Sequence, residues 1–192
     1  MKIATTIEVL GVAALLAACS VGTKFTKPAD DALVLGKTTR SEVLALMGKP
    51  SNSGRKVTNG EDIDIITYAY ASRGVEEPAF EGVIPARGIS FHFLGDILVG
   101  KDFSSSFKSD STWFDPAKAR AVVNGMSEAD VRALLGRPAG EFLYPVVADR
   151  GGRGLTYQFS LTRGFKTRLE ALNIELDANG IVTKSEYIQV GD

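Results

Sequence analysis

The sequence predicts an α+β fold of two tandem repeats, each a short helix–turn–helix packed on an antiparallel β-meander of three to four strands. Three observations support this prediction. A segment with the start and stop signals of a helix occurs twice, with Thr39 and Ser127 in corresponding positions 88 residues apart. Each copy is followed by segments that alternate apolar and polar residues, as strands with one buried face do. Each copy also has a turn signal before its last predicted strand, and the clearer one is Asp177-Ala178-Asn179-Gly180.

The duplicated segment carries the signals of a short capped helix. Ser127, or Thr39 in the first copy, can accept a backbone N–H bond at the helix start, and Asp130 or Glu42 three residues later can bond back, as in a capping box. A glycine and then a proline end each copy. About nine residues of helix are too few to be stable alone in water. Each helix must therefore dock on a larger element, for which we expect a sheet.

The first residues predict a secretion signal. After Lys2, the apolar run 9–18 is too short to span a bilayer as a helix. The run ends in Leu16-Ala17-Ala18-Cys19, which resembles the lipobox of bacterial lipoproteins, where the cysteine is lipidated and the chain is cleaved before it. We therefore predict a signal peptide over residues 1–18 and lipidation at Cys19. The alternative is an ordinary cleavable signal that leaves Cys19, the only cysteine, as a free thiol.

Residues 19–27 are predicted to be a lipidated tether between membrane and folded chain. The resemblance to the lipobox implies several acyl chains, including a palmitate, and several chains anchor a protein more firmly than one. Ser20 after the cysteine resembles the signal for export to the outer membrane. We expect a lipid-anchored protein of the outer membrane that faces the periplasm.

Repeat one is predicted over residues 28–103, a linker over 104–114, and repeat two over 115–192. Each repeat opens with a predicted helix that begins at a proline, Pro28 or Pro116, and Asp115 is a good N-cap for the second. The predicted strands are 65–70, 89–93 and 97–103 in repeat one and 155–159, 172–176 and 181–190 in repeat two. Further strands are expected at 54–57 and 141–147. The two repeats would either share a continuous sheet or pack side by side.

Composition and motifs argue against several functions. The formal net charge of −1 lacks the basic excess typical of nucleic-acid binding. Segment 95–101 has the spacing of a phosphate-binding loop, but Asp102 stands where a hydroxyl is needed, so we expect no nucleotide. His92 is the only histidine, which argues against a zinc site or a catalytic triad, and its neighbours place it on a solvated face. We expect no enzyme activity and no cofactor or metal.

Five residues are candidates for binding a partner. Arg73 and Arg163 each precede a glycine in the loop after a predicted strand. Phe80 lies in a loop that is longer in repeat one, and long loops often carry function; it would contact a partner or membrane, or else cover the sheet. Trp113 and Phe114 close the linker, where packing at the junction is favoured over a role as a binding anchor.

Several segments together resemble the SmpA/OmlA (BamE) family of bacterial lipoproteins. The segments are Gly125-Met126-Ser127, Leu135-Gly136-Arg137-Pro138, Thr156-Tyr157-Gln158-Phe159 and the run from Leu172 to Val182. Residues 28–103 look like a second, more divergent copy. The resemblance implies a small α+β outer-membrane lipoprotein, and the best-known member is an accessory of the machine that folds β-barrel proteins into the outer membrane. A tandem pair of such units also resembles the β-lactamase inhibitor protein, which binds enzymes on a sheet face.

Two functions follow as expectations. The first is a non-enzymatic scaffold that binds an envelope or outer-membrane protein in envelope integrity or outer-membrane assembly. The second is a membrane-tethered inhibitor or binding module for a periplasmic enzyme, which it would hold with a sheet face and the loop 73–85.

Overall fold

A computed structural model describes residues 21–72 and 76–191. Two predicted sites, Cys19 and Arg73, lie outside the described residues, as does the predicted signal peptide over residues 1–18.

One antiparallel sheet of nine strands dominates the described chain. Its strands are β1 (Val21–Gly22), β2 (Asn52–Thr58), β3 (Glu61–Ala71), β4 (Ala86–Leu94), β5 (Ile97–Ser105), β6 (Gly140–Phe142), β7 (Arg153–Arg163), β8 (Lys166–Leu176) and β9 (Val182–Val190). From β3 to β9 each strand pairs with the next in sequence. On the free side of β3, β2 pairs with its first seven residues and β1 with its last two. The sheet therefore runs unbroken through both predicted repeats.

Three short helices accompany the sheet: α1 (Arg40–Met47), α2 (Pro116–Ala119) and α3 (Glu128–Leu135). α1 and α3 are the duplicated helices predicted from the sequence, and both capping boxes are present. Gly48 and Gly136 end these helices at φ angles of 75° and 79°, a conformation that glycine adopts without steric cost. Among the described residues, no helix is long and apolar enough to cross a membrane.

The predicted fold class, α+β with two tandem repeats that each pack a short helix–turn–helix on an antiparallel meander, is wrong, because the described chain is mostly one nine-stranded sheet with three short helices. Residues 28–35 contain turns and no helix, and α2 has only four residues. The difference between these two segments has a local cause, because the Asp115 carboxylate accepts the Ala117 N–H at 2.8 Å and caps α2. Lys27 occupies the matching place before Pro28 and has no acceptor atom with which to cap a helix.

The short strand β6 joins the two predicted meanders into one continuous sheet, which is one of the two arrangements that the sequence left open. Its three residues pair with β5 on one side and β7 on the other. Gly140 permits this approach, since a Cβ atom there would lie 2.7 Å from the Lys101 carbonyl oxygen. The strand predicted over 141–147 ends at Phe142, and the chain continues as a loop.

Both longer helices pack on one face of the sheet, here called the helix face. The register pairs Ile89 with Phe103 in the first half, Lys101 with Glu141 at the junction, and Glu141 with Leu155 in the second half, so these side chains share a face. Val43 of α1 and Val131 of α3 are fully buried against that face. Two apolar clusters result, one under each helix. The opposite side of the sheet is called the open face.

Candidate functional site: an aromatic cleft at the hairpin end of the sheet

Several loops meet at one end of the sheet. Because β4 and β6 are antiparallel to their neighbours, strands β3, β5 and β7 run in the same direction. Their last residues, Ala71, Ser105 and Arg163, therefore lie towards the same end. This end, here called the hairpin end, carries the loop 76–85, the segment 106–114 and the β7–β8 turn.

A cleft of about 460 Å³ opens on the helix face at the hairpin end. We call it the aromatic cleft; it is lined by Phe80, Trp113, Pro116, Phe159, Leu161, Arg163, Lys166, Arg168 and Glu170. The rings of Phe80 and Trp113 meet edge to face with centroids 6.0 Å apart. The Trp113 residue remains 48% exposed. Phe80 is half-buried. A partly exposed aromatic pair beside arginine is the composition that is enriched at protein-binding hot spots.

Backbone hydrogen bonds hold the loop 76–85 in place beside the cleft. The Ala79 N–H donates to the Ser106 carbonyl at 2.8 Å, and the Ile84 N–H donates to the Thr162 carbonyl at 2.8 Å. The Arg163 guanidinium donates to the Glu81 carbonyl at 3.4 Å. The loop that carries Phe80 is thus bonded to the segment 106–114 and to β7, which places Phe80 against Trp113.

The rim of the cleft is cationic. Arg163 and Lys166 are exposed at the β7–β8 turn. Arg168 pairs with Glu170, which is completely buried and also accepts a hydrogen bond from the Tyr187 hydroxyl. The buried carboxylate is therefore engaged by the protein itself, and the exposed charged side chains that line the cleft are Arg163 and Lys166.

The structure brings three of the predicted binding residues together and separates a fourth. Phe80, Trp113 and Arg163 line the aromatic cleft. Phe114 instead lies in the core, 4% exposed, with its ring edge-to-face against Tyr157 and Phe159. For Phe114 this is the junction packing that the sequence favoured.

Sequence reasoning named the loop at Arg163 but missed its most exposed residue. Phe165, at the turn between β7 and β8, is fully exposed. The signal was an aromatic within the turn Arg163-Gly164-Phe165-Lys166 between two predicted strands, where no core position is available. An aromatic side chain in such a turn has no neighbouring element to pack on.

The open face carries a row of hydrogen-bonded polar side chains. Nε2 of His92 lies 3.1 Å from Oδ2 of Asp102, and the Gln158 amide donates to Oδ1 of Asp102 at 2.8 Å. The Thr156 hydroxyl donates to Oδ1 of Asn173 at 2.9 Å. His92 does lie on the face opposite α1, but the prediction that it is solvated is wrong, because it is 7% exposed and packs edge-to-face on Phe142.

A smaller cleft of about 210 Å³ lies on the helix face between the two halves. Its central cation, Lys101, donates to the Asp30 and Leu33 carbonyls at 2.9 and 2.7 Å. Burial lowers the pKa of Lys101, and burial together with the nearby Arg137 lowers that of Lys27. Lys101 is thus occupied in fastening residues 30–33 to the sheet, which makes this cleft a structural junction.

Metal ligands do not cluster in the part of the chain that the structure describes: no three His, Cys, Asp or Glu side chains there are placed to hold an ion.

No family model matches the chain, and no curated protein matches it. Among solved structures, the chain is similar to a crystal structure from Streptococcus mutans described as a candidate beta-lactamase inhibitor protein. The two are 14% identical, with a TM-score of 0.43, over 82% of this chain and 91% of that one.

Proposed function

We propose that this chain is a non-enzymatic, lipid-anchored protein-binding module of the outer membrane that faces the periplasm, and that the aromatic cleft is its docking site. One observation carries the proposal. Phe80, Trp113 and Arg163 come from three separate segments and converge on one cleft that is open to solvent. Tryptophan and arginine are the residues most often responsible for binding energy at protein interfaces.

The chemistry of the cleft defines the partner segment that it fits. The Phe80–Trp113 pair and Leu161 offer an apolar surface for one or two side chains. Arg163 at the rim would pair with a carboxylate and fix the orientation of the segment. The fitting ligand is therefore a protein segment with an apolar anchor next to an acidic residue.

The anchor and the partner class belong to the same proposal. Lipidation at Cys19 rests on the lipobox-like sequence. The resemblance to SmpA/OmlA (BamE) lipoproteins makes proteins of the outer-membrane assembly machinery the first partners to test.

The test is crosslinking of the full chain in cell envelopes, identification of the crosslinked protein by mass spectrometry, and measurement of its affinity for the purified full chain. We expect Trp113→Ala and Phe80→Ala each to weaken that affinity about tenfold or more. Val123→Ala is the matched control, because Val123 is 57% exposed and does not line the cleft. An unchanged affinity in both cleft variants, with unchanged circular dichroism, would remove the cleft as the docking site.

A second candidate is a tethered binding module that holds a periplasmic enzyme on the open face. The row of polar side chains from His92 to Asn173 favours this second candidate. The row lies on the open face, against which none of the three described helices packs. Asn173→Lys places a long charged side chain on that face, at an exposed position. Loss of partner binding in Asn173→Lys, with normal binding in Trp113→Ala, would favour this candidate over the cleft.

A further inference from the structure

The tip of the β7–β8 hairpin combines an unburied aromatic with concentrated positive charge. Phe165 is fully exposed, and Leu169 nearby is 38% exposed. The turn itself carries two exposed cations, Arg163 and Lys166, whereas Arg168 pairs with the buried Glu170. Basic segments with exposed apolar side chains favour anionic membrane surfaces, where the charge meets lipid headgroups and the apolar group leaves water.

The chain enters the fold at the same end of the sheet. Val21 pairs with Ala71, the last residue of β3, and Gly22 pairs with Tyr70. Ala71 and Arg163 both end strands that run in the same direction, so the start of the described chain and the hairpin tip share the hairpin end. Twenty residues precede Val21 in the sequence. Only Ser20 separates Val21 from Cys19, so the Cα atoms of Cys19 and Val21 are at most about 7 Å apart.

We infer that the β7–β8 hairpin tip is a second, non-covalent membrane contact, in which Phe165 enters the interfacial region of the bilayer and the exposed side chains of Arg163 and Lys166 face anionic headgroups. The inference rests on the lipid anchor of the proposed function for the orientation of the protein relative to the membrane. It rests on the side chains of the hairpin for the affinity to lipid. An anchor at the hairpin end brings that end towards the membrane. The turn between β2 and β3, which lies at the opposite end of the sheet, then points into the periplasm.

Two membrane contacts, the lipid anchor and the hairpin tip, would fix the orientation of the protein, which the anchor alone does not. A single covalent anchor fixes the distance of a protein from the membrane but leaves it free to rotate about the tether. A second contact at the hairpin tip holds the sheet in one orientation and keeps the aromatic cleft, which lies just behind the tip on the helix face, close to the membrane surface. The partner segment would then be presented near the membrane.

The test measures the depth of single tryptophan reporters in vesicles. Trp113 is the only tryptophan, so Trp113→Phe removes the background. Phe165→Trp in that variant reports on the tip, and Val57→Trp in the same variant is the matched control, since Val57 is 70% exposed and lies at the opposite end of the sheet. The full chain is reconstituted into phosphatidylethanolamine vesicles with and without phosphatidylglycerol, both containing lipids with brominated acyl chains, which quench tryptophan.

We expect the Phe165→Trp reporter to be quenched several-fold more than the Val57→Trp reporter, and more with phosphatidylglycerol than without. Equal quenching of the two reporters in both lipids, with Cys19 shown by mass spectrometry to be lipidated, would overturn the inference and leave the anchor intact. If Cys19 carries no lipid, quenching of the Phe165→Trp reporter by added anionic vesicles supports the contact while the anchor fails; no quenching overturns it. A Phe165→Ser variant that loses affinity for the crosslinked protein partner, without any quenching of the reporter, would instead assign the tip to that partner.

Discussion

Residues 21–105 and residues 113–191 fasten their longer helices to the sheet with the same backbone hydrogen bonds. In each half, the backbone N–H of the first helical residue donates to a carbonyl in the turn before the last strand. A backbone N–H of that strand donates in return to the carbonyl of the residue before the N-cap. The bonds are Arg40 to Asp96 (2.8 Å) and Leu98 to Thr38 (2.9 Å) in the first half, and Glu128 to Gly180 (2.8 Å) and Val182 to Met126 (2.9 Å) in the second. The local device that holds a helix start to a hairpin turn is thus duplicated.

The helix ends are duplicated as well. The Tyr68 hydroxyl donates to the Gly48 carbonyl at 2.7 Å, and the Tyr157 hydroxyl donates to the Gly136 carbonyl at 2.9 Å. In both halves a tyrosine from the sheet satisfies a carbonyl that the helix leaves free, since the last carbonyls of a helix have no partner within it.

The halves differ in the segment that precedes the helix. Phe114 is buried against Tyr157 with ring centroids 6.2 Å apart, while Phe25 lies 6.3 Å from Tyr68 and stays partly exposed. Asp115 then caps α2 in the second half, and Lys27 caps nothing in the first. Helix docking therefore depends on a short local motif, whereas the burial of the core beneath each helix depends on the side chains that the preceding segment packs against it.

The largest expected difference between the halves concerns these two phenylalanines. Phe114→Ala should lower the free energy of unfolding by about 3–5 kcal/mol, because it removes a fully packed ring and leaves a cavity. Phe25→Ala should cost less than half as much, since its ring already contacts solvent. Urea unfolding of the full chain, followed by circular dichroism, measures both. Equal costs would mean that the first half depends on its preceding segment as strongly as the second does.

The helices and strands of the two halves show how far the sequence could predict the structure. The capped helices, the glycine stops and most strand positions were predicted correctly, because each depends on residues within a few positions of one another. The sequence leaves open whether the two meanders form one sheet, because the pairing of β6 with β5 joins residues about 40 positions apart and rests on a close approach at Gly140. Periodicity carries no information about such a contact.

The candidate site was predictable in composition but not in geometry. The sequence places Phe80 and Arg163 in predicted loops and Trp113 at the end of the predicted linker, and aromatic and arginine side chains in such segments are candidates for binding. Their meeting in one cleft depends on strand directions and on bonds such as that from Ile84 to Thr162, which link distant segments. Phe114 follows Trp113 directly. Phe114 is buried and Trp113 is exposed because successive side chains of an extended segment point to opposite sides.

Burial of the two tyrosines that bond the helix ends makes the stability of the fold depend on pH. Burial raises the pKa of Tyr157 to about 12 and also raises that of Tyr68. A buried phenol keeps its proton in the folded state, while unfolded tyrosine ionises near pH 10, so this contribution to stability is complete below about pH 10 and is lost as the pH rises towards 12. Between about pH 9 and pH 11, Tyr157 should contribute a loss of about 1.4 kcal/mol to the free energy of unfolding.

Replacement by phenylalanine separates this effect in the two halves. Tyr157→Phe should cost about 1–3 kcal/mol at neutral pH, because the Gly136 carbonyl loses its partner, and should flatten the decline above about pH 9. Tyr68→Phe should cost a similar amount at neutral pH but flatten the decline less. Urea unfolding at several pH values measures both quantities. If the two variants keep the wild-type decline, burial of these phenols does not govern alkaline stability.

The smallest expected effect tests whether the duplicated cap is truly equivalent in the two halves. The Thr39 hydroxyl accepts the Glu42 N–H at 3.3 Å, and the Ser127 hydroxyl accepts the Asp130 N–H at 3.1 Å. Thr39→Ala and Ser127→Ala should each lower the free energy of unfolding by about 1 kcal/mol, the usual cost of an N-cap, and should leave affinity for a partner unchanged. Ser53→Ala on the exposed strand β2 is the control and should change stability by less than about 0.5 kcal/mol. A loss of partner affinity in Ser127→Ala at unchanged stability would show that the duplicated segment is itself a binding surface, and a loss confined to one half would give the two copies different roles.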